Sequence, residues 1–582
     1  LTAAQQQLVL AQRLGAAGNQ PAAEQHLLAA VQLEPGLVEA WIHLGILLRR
    51  QGRAADAEAC YCTALRLEPE NFAALSNLGN LMYDQGLGRL DDALDLYERA
   101  VLLRPDSAEA HNNLARAALQ AGLAGAEHHF REAVRLKPDY PQGWEGLGLA
   151  LFGVGDGRES MRCLSKALEL QPGSTESRVY LARGHLLHQE YDDAAAQFSQ
   201  AQRERPDDPR GESGLGAVRA RQGKWTSAAR HFETALATGR SDAWTGFQHA
   251  MLLLINGDYA RGWEAYDAHR AFMGAVVHRV LNRAIPARRW LGESLAGKRI
   301  LVTAEQGLGD EIMFASVLPE IVAEAAYCLV ECDIRLAPLL RRSLGVETFG
   351  IERKGDDWMD ALPAQLAQLP PFDYWVPAGS LPRYRRRGAA EFPRHQGYLR
   401  ADPALVTEWQ SRFAQLGPGL RVGITWRGGV LTTNTRTRSL SLEGLLPIIG
   451  IPGLQLHSLQ HGANPAELEE FHRLHGVRIH HWPGVTDDMD AAAALLQSLD
   501  LVLTVCNYAA HLAGALGKEA WVMTPHVPEW RYGNAGAGMP WYPSVRLVRQ
   551  PAAGAWEPVI ASMANDLRRR VDAADVAPGP PQ

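Results

Sequence analysis

The chain has 582 residues, too many for one domain, with 46% apolar residues, 21% charged residues and a net charge of -7. That composition fits folded domains and offers no basic footprint for nucleic acid or an anionic membrane surface. No apolar run is long enough to span a bilayer and no signal peptide is visible, although the chain opens on Leu1 rather than Met and leaves the native N-terminus open. The six cysteines (Cys60, Cys62, Cys163, Cys328, Cys332, Cys506) contain no C-x-x-C pair, so a reducing, cytoplasmic setting without structural zinc is expected.

From the start to about residue 275 the sequence repeats. Pro35, Pro69, Pro105, Pro138, Pro172 and Pro206 are separated by 34, 36, 33, 34 and 34 residues. In "VEAWIHLGILLRRQGRAADAEACYCTALRLEP", Trp41, Leu44 and Gly45 share a face of a first helix, and Ala57, Tyr61 and Ala64 share the facing side of a second. Small residues at 45 and 57 let the helices approach, and the aromatic fills the space toward the next pair. This is the tetratricopeptide pattern. The spacing of 36 comes from two extra residues in "DQGLGRLDDAL", and that of 33 from an early second helix in "QAGLAGAEHHF"; both changes fall in turns. Further units follow at "QGKWTSAARHFETAL" and "AMLLLINGDYARGWEAYDAHR", the last keeping Gly257 and Tyr266, for about eight units over residues 1–275. An α-solenoid of this kind has a concave groove suited to an extended peptide or a partner helix. Asn77 and Asn113 hold the same repeat position, where a carboxamide either binds the backbone of an acceptor peptide or is solvated.

After residue 285 strand-like runs replace the repeat. "KRILVTAEQGLGDEIMFASVLPEI" reads as strand, glycine loop and helix; "AYCLVECDIRLAPLLRRS" and "FDYWVPAGSLP" supply further strands. "PRYRRRGAAEFPRHQGYLRADP" lacks periodicity and reads as a linker, its arginines either solvated or attractive to a phosphate. A second start at "LRVGITWRGG" leads to strands in "GLQLHSLQHG", "VRIHHWPG", "LDLVLTV" and "KEAWVMTP". Strands alternating with helices predict parallel sheets in two Rossmann-like halves, residues 276–400 and 401–570, with strand C-termini facing a cleft and a flexible tail at 571–582.

Several residues at those strand ends can carry chemistry. Gln306, Gly309 and Asp310 stand where the first glycine loop enters its helix; Asp310 is either a base facing the cleft or a helix cap, with Glu311 beside it. Asn507, Tyr508 and His511 cluster at the start of the helix after Cys506, where backbone N–H groups suit a phosphate or the helix is simply packed. Arg436 and Arg438 precede another helix, as a phosphate fork or a surface turn. Trp426 can stack on a base and Gln460 can hydrogen-bond a ligand. "DDMD" is better read as a helix cap than as a D-x-D metal motif. Histidines 457, 461, 472, 475, 480 and 481 have no zinc-ligand spacing, and "QGLGDE" lacks the ending of a phosphate-binding Walker loop.

"GDYARGWEAYDAHR", "AEQGLGDEIMFASVLPEI", "WRGG" with "RSLSLEGLLPI", "SLQHG", "HLAGALGKEAWVMTP", and "PEWRYG" with "MPWYPSVRLVRQ" occur in this order over nearly the whole chain. Together they resemble bacterial proteins that fuse tetratricopeptide repeats to a heptosyltransferase-like glycosyltransferase domain. The resemblance implies an α-solenoid followed by an α/β GT-B domain, and a metal-independent transferase that needs no cofactor beyond its nucleotide-sugar substrate. It makes Asp310 the base and Arg438 the basic group for the leaving phosphate. Cys506 through His511 become the donor-binding loop, with Gln306, Gly309, Trp426 and Gln460 also facing the donor. Heptosyltransferases carry Asp-Thr where this chain has Cys506-Asn507, so a nucleotide-heptose donor is not carried over. Repeat-bearing relatives include flagellin glycosyltransferases that use a CMP-nonulosonate. The implied activity is therefore O-glycosylation of Ser or Thr on a protein acceptor held by the repeats, flagellin being one such acceptor. The rival readings are a non-catalytic repeat adaptor with a decayed transferase fold, and an enzyme acting on a saccharide or lipopolysaccharide.

Overall fold

Helix follows helix from Ala3–Ala16 to Tyr191–Glu204. These belong to the first of two units, Leu1–Arg205 and Pro206–Gln582, in a computed structural model that describes residues 1–154, 157–269, 285–304, 307–352, 371–429 and 437–576. In the second and third helix pairs of the first unit a glycine faces an aromatic ring. A Cβ on Gly45 would lie 2.6 Å from the Tyr61 ring and one on Gly79 2.7 Å from that of Tyr97, so only glycine admits these buried tyrosines. A second device recurs at the turns. The proline carbonyls that end several units accept a hydrogen bond from a side chain six residues on. The Trp41 indole donates to the Pro35 carbonyl at 2.9 Å, that of Trp144 to Pro138 at 2.8 Å, and the Arg178 guanidinium to Pro172 at 2.6 Å. Leu75 fills that position in the third unit and cannot donate, so Pro69 is served by Arg99 instead, at 2.9 Å. One apolar core runs from Leu8 to Cys163.

The helices Pro209–Arg221, Trp225–Ala237, Ala243–Ile255 and Tyr259–His269 keep the repeat pattern yet belong to the second unit. Their sequence continues the array of residues 1–275 without a break in pattern. Their long-range partners explain the difference. Asp267, with 5% of its side chain exposed, binds Arg289 at 2.6 Å and Arg383 at 3.0 Å, and Trp263 donates to the Arg386 carbonyl at 3.0 Å.

Two sheets follow. In the first, β1 (Arg288–Arg289), β2 (Arg299–Thr303), β3 (Tyr327–Asp333), β4 (Glu347–Ile351) and β5 (Tyr374–Pro377) lie in the order β1-β5-β2-β3-β4, all parallel. The second contains β6 (Leu420–Ile424), β7 (Leu454–Ser458), β8 (Ile479–His480), β9 (Leu501–Val505), β10 (Ala520–Thr524), β11 (Gly538–Met539) and β12 (Tyr542–Arg549). Its order is β11-β12-β10-β9-β6-β7-β8, antiparallel only between β11 and β12. The inner strands are buried along their length, as covered parallel sheets require. The helix Glu557–Val576 packs Val559, Ile560, Met563, Leu567 and Val571 into the second sheet's core. It therefore extends five residues past position 571, into the stretch expected to be a flexible tail.

The expected linker is a built element. Arg383 pairs with Asp267, Arg385 reaches Glu324 at 2.6 Å, and Arg386, 1% exposed, reaches Glu320 at 2.5 Å. Arg386 is taken out of solvent, whereas Arg383 and Arg385 keep 34% and 21% of their side chains exposed; each of the three neutralises a carboxylate of a neighbouring helix. Farther on, Tyr398 donates its amide to the Ala515 carbonyl at 2.8 Å and its hydroxyl to that of Ile312, tying both sheets' helices to the crossing segment.

Candidate functional site

The C-terminal ends of β2, β6, β7, β9 and β10 give rise to the loops and helix starts that carry the residues singled out above, as the parallel topology dictates. The helices Leu308–Phe314 and Tyr508–Ala515 pack together there. A Cβ on Gly309 would lie 3.3 Å from the His511 ring and 3.7 Å from the Tyr508 Cα, so the glycine sets how near the helices come.

At this junction four charged side chains alternate in sign. The Asp310 carboxylate takes hydrogen bonds from the Arg531 guanidinium at 2.5 Å; Arg531 also holds one oxygen of Glu529 at 3.1 Å, and Arg438 holds the other at 3.0 Å. Only 15% of Asp310, 14% of Arg531 and 8% of Arg438 side-chain surface is exposed. Burial pushes the Asp310 carboxyl above the usual carboxylate range, and the Arg531 and Arg438 charges oppose that rise. Asp310 does not cap its helix: Gly307 precedes it without a side-chain cap. Glu311 has a structural task, accepting the Asp333 amide at 2.7 Å. Arg531 and Glu529 were not singled out in the sequence. Their signal was an acidic–aromatic–basic run, "EWR", in the loop after β10, at the same sheet edge as the other candidates.

The remaining candidates divide by exposure. Trp426 is fully buried and has no ring face for a ligand, which corrects its assignment to base stacking. His511 is also buried, between the hydroxyls of Tyr542 at 3.2 Å and Tyr532 at 3.4 Å. Burial, reinforced by Arg531 and Arg438, depresses its pKa to about 3, so it is a neutral core histidine rather than a donor contact. Gln460 accepts the Trp426 and Arg427 amides at 3.1 and 2.8 Å and thereby shapes the loop after β6. Asn507 caps its helix through the Ala509 amide at 2.9 Å and donates to Thr425 at 2.8 Å, bridging the ends of β6 and β9. Tyr508 donates to the Leu459 carbonyl at 3.0 Å. Cys506 is buried with its thiol pushed up to about 12 by desolvation, so it stands as a neutral thiol at neutral pH. Gln306 and Arg436 lie outside the described residues.

Asp488 caps the helix Met489–Ser498 as "DDMD" predicts, and Asp490 pairs with Arg342. Among the described residues, the side chains close enough to share a metal ion are His185, Glu190 and Asp193, in the repeat unit; there Glu190 already binds His185 at 2.7 Å and Arg158 at 2.8 Å. Asn77 and Asn113 are half-buried on the first helices of their pairs, and Asn77 donates to the Ala73 carbonyl one turn back at 2.8 Å, the geometry of a solvated helix residue. No helix among the described residues is long and apolar enough to cross a membrane.

The tetratricopeptide repeat model matches residues 8–61, 44–87, 83–141 and 145–209. The human protein O-mannosyl-transferase TMTC1 is 27% identical over 202 residues, 34% of this chain and 23% of that protein. A solved tetratricopeptide repeat protein from Parabacteroides merdae is 20% identical, with a TM-score of 0.35 over 43% of this chain and 98% of its own. Protein FlbA of Caulobacter vibrioides is 30% identical over 543 residues, 91% of this chain and 84% of that protein. A match of that length takes in both the repeats and the sheets, and the chain belongs to the family of FlbA.

Proposed function

We propose that the protein is a glycosyltransferase of the GT-B kind, moving a sugar from a nucleotide-sugar to a Ser or Thr hydroxyl of a protein acceptor held by the repeats. The observation that carries this reading is the Asp310–Arg531–Glu529–Arg438 ladder at the strand ends. In the reaction the acceptor oxygen bonds to the sugar's anomeric carbon, its proton passes to Asp310, and the bond to the nucleotide phosphate breaks. Arg438 and Arg531 stabilise the departing phosphate. The phosphate competes with Glu529 for both guanidiniums. As Arg531 turns toward it, Asp310 loses a counter-charge and gains basicity when a base is needed. Two guanidiniums carry the charge here, so the reading calls for no metal ion and no cofactor. Six free thiols fit a cytoplasmic protein, with a CMP-nonulosonate and flagellin as a donor and an acceptor to try first.

The mannosyl transfer for which TMTC1 is named adds little, because the similarity spans under a quarter of that protein. A second reading, a non-catalytic adaptor, is favoured by the internal satisfaction of Asp310, Asn507 and His511. Intact-mass analysis of candidate acceptors with the full-length protein separates the two. Asp310→Asn, which keeps shape and a hydrogen bond, is expected to lower transfer about 10²–10⁴-fold. Wild-type turnover by that variant would remove Asp310 from the mechanism. Calorimetric silence toward CMP-, UDP-, GDP- and ADP-linked sugars would favour the adaptor.

A further inference from the structure

Arg531 is held from behind as well as from the front. Its guanidinium lies 4.7 Å over the Trp530 ring, and Trp530 meets Trp263 edge-on at 5.3 Å and Tyr266 at 6.1 Å. Trp263 and Tyr266, both 1% exposed, belong to Tyr259–His269, the last repeat helix. Trp263 also stands edge-on to Phe314 at 6.4 Å, and Phe314 closes the helix that carries Asp310. One indole thus touches the elements bearing both members of the ion pair. The preceding helix end adds two bonds to the same loop: the Asn534 amide donates to the Ile255 carbonyl at 3.1 Å, and its side chain to that of Asn256 at 2.6 Å.

Repeat packing does not call for an indole at this place. Three residues before the packed aromatics Tyr61, Tyr97, Phe130, Phe198 and Phe232 stand Glu58, Leu94, Glu127, Ala195 and Ala229; three before Tyr266 stands Trp263. The exception is explained by what lies outside the repeat.

We infer that Trp263 is a positioning residue of the site, and that the last repeat helix forms part of its frame by setting Arg531 against Asp310 through Trp530. Its bearing on catalysis rests on the transferase reading; its bearing on the loop does not.

The test uses full-length Trp263→Ala, Trp263→Phe and Asn534→Ala, with hydrogen exchange read peptide by peptide. Trp263→Ala is expected to speed exchange in 526–534 roughly tenfold while leaving residues 1–205 unchanged, with Trp263→Phe restoring most of the protection. Donor KM should stay within about threefold while kcat per folded molecule falls about 10²-fold, the cost of misplacing a group by about 1 Å. Should Trp263→Ala fail to fold, Asn534→Ala decides by the same readings on a smaller scale. Unchanged exchange in 526–534, or a loss of rate explained wholly by the folded fraction, overturns the inference. Faster exchange in a protein whose wild type transfers no sugar upholds the frame and overturns the transferase reading instead.

Discussion

In the repeat unit many ion pairs lie on the surface, and some join neighbouring repeats: Arg49 reaches Asp84, one repeat on, at 2.5 Å with 32% and 51% of their side chains exposed. In the sheet unit, Asp310 and Arg531 stand 221 residues apart and pair with 15% and 14% exposed. Water screens the first pair and can replace either partner; it cannot do so for the second, where each charge has been taken out of solvent. The same bond length therefore has different consequences, and burial decides which.

Breaking one bridge in each unit measures the difference. Arg531→Met leaves Asp310 and Glu529 buried and facing each other without the cation between them. It is expected to destabilise the second unit by about 3–5 kcal/mol in denaturant titrations. It should also move the acid limb of any transfer rate to higher pH. Of the groups facing Asp310, Arg531 and Arg438 hold its pKa down, whereas burial and Glu529 push it up. Removing the larger restraint raises it further.

Acid sharpens the contrast next. Burial holds both His511 and His457 neutral, with pKa depressed to about 3; Arg531 and Arg438 add to the effect on His511, as His480 and Arg421 do on His457. The unfolded chain takes up these protons below about pH 6.5 while the folded chain does not. Stability present above that pH is therefore lost as pH falls from about 6.5 toward 3, by up to roughly 1.4 kcal/mol per pH unit for each histidine. Asp310, with its pKa raised, acts in the opposite sense. Denaturant midpoints at pH 7 and 5 should show the fall in the second unit, and His457→Phe should reduce it. At the small end, Arg49→Met is expected to change the first unit's stability by less than about 1 kcal/mol. A loss as large as that of Arg531→Met would mean that burial is not what separates the two bridges.

The same contrast governs how much of the molecule could be read in advance. The repeats are legible because their partners are local: Gly45 and Tyr61 lie in adjacent helices, as do Gly79 and Tyr97, and Trp41 and Trp144 each stand six residues after the proline they bind. The core strands were legible as apolar runs, but β1, β4, β11 and β12 were not. β1 and β11 have two residues each, and β4 is half-exposed along most of its length. β12 alternates buried and exposed positions beside a proline. At the site, position along the chain put Asp310 and Arg438 at the correct sheet edges. The "EWR" run is the whole local signal for Arg531, because its partner Asp310 lies in the other sheet's loops. Trp426 and His511 misled for a related reason: a strand-end residue can point into the core as readily as out of it, and the choice is set by what packs above.

The cysteines give the two units different chemical faces. Cys60, Cys163, Cys328, Cys332 and Cys506 are buried, and Cys62, on the second helix of the second repeat, is exposed. Desolvation keeps Cys328 and Cys506 as thiols, their pKa pushed up to about 12. A maleimide added to the native protein should therefore couple at Cys62 and spare the sheet unit. The unmodified sequence thus carries its own attachment point for a fluorophore on the repeats, from which the binding of a protein partner can be tested without touching the residues around Asp310.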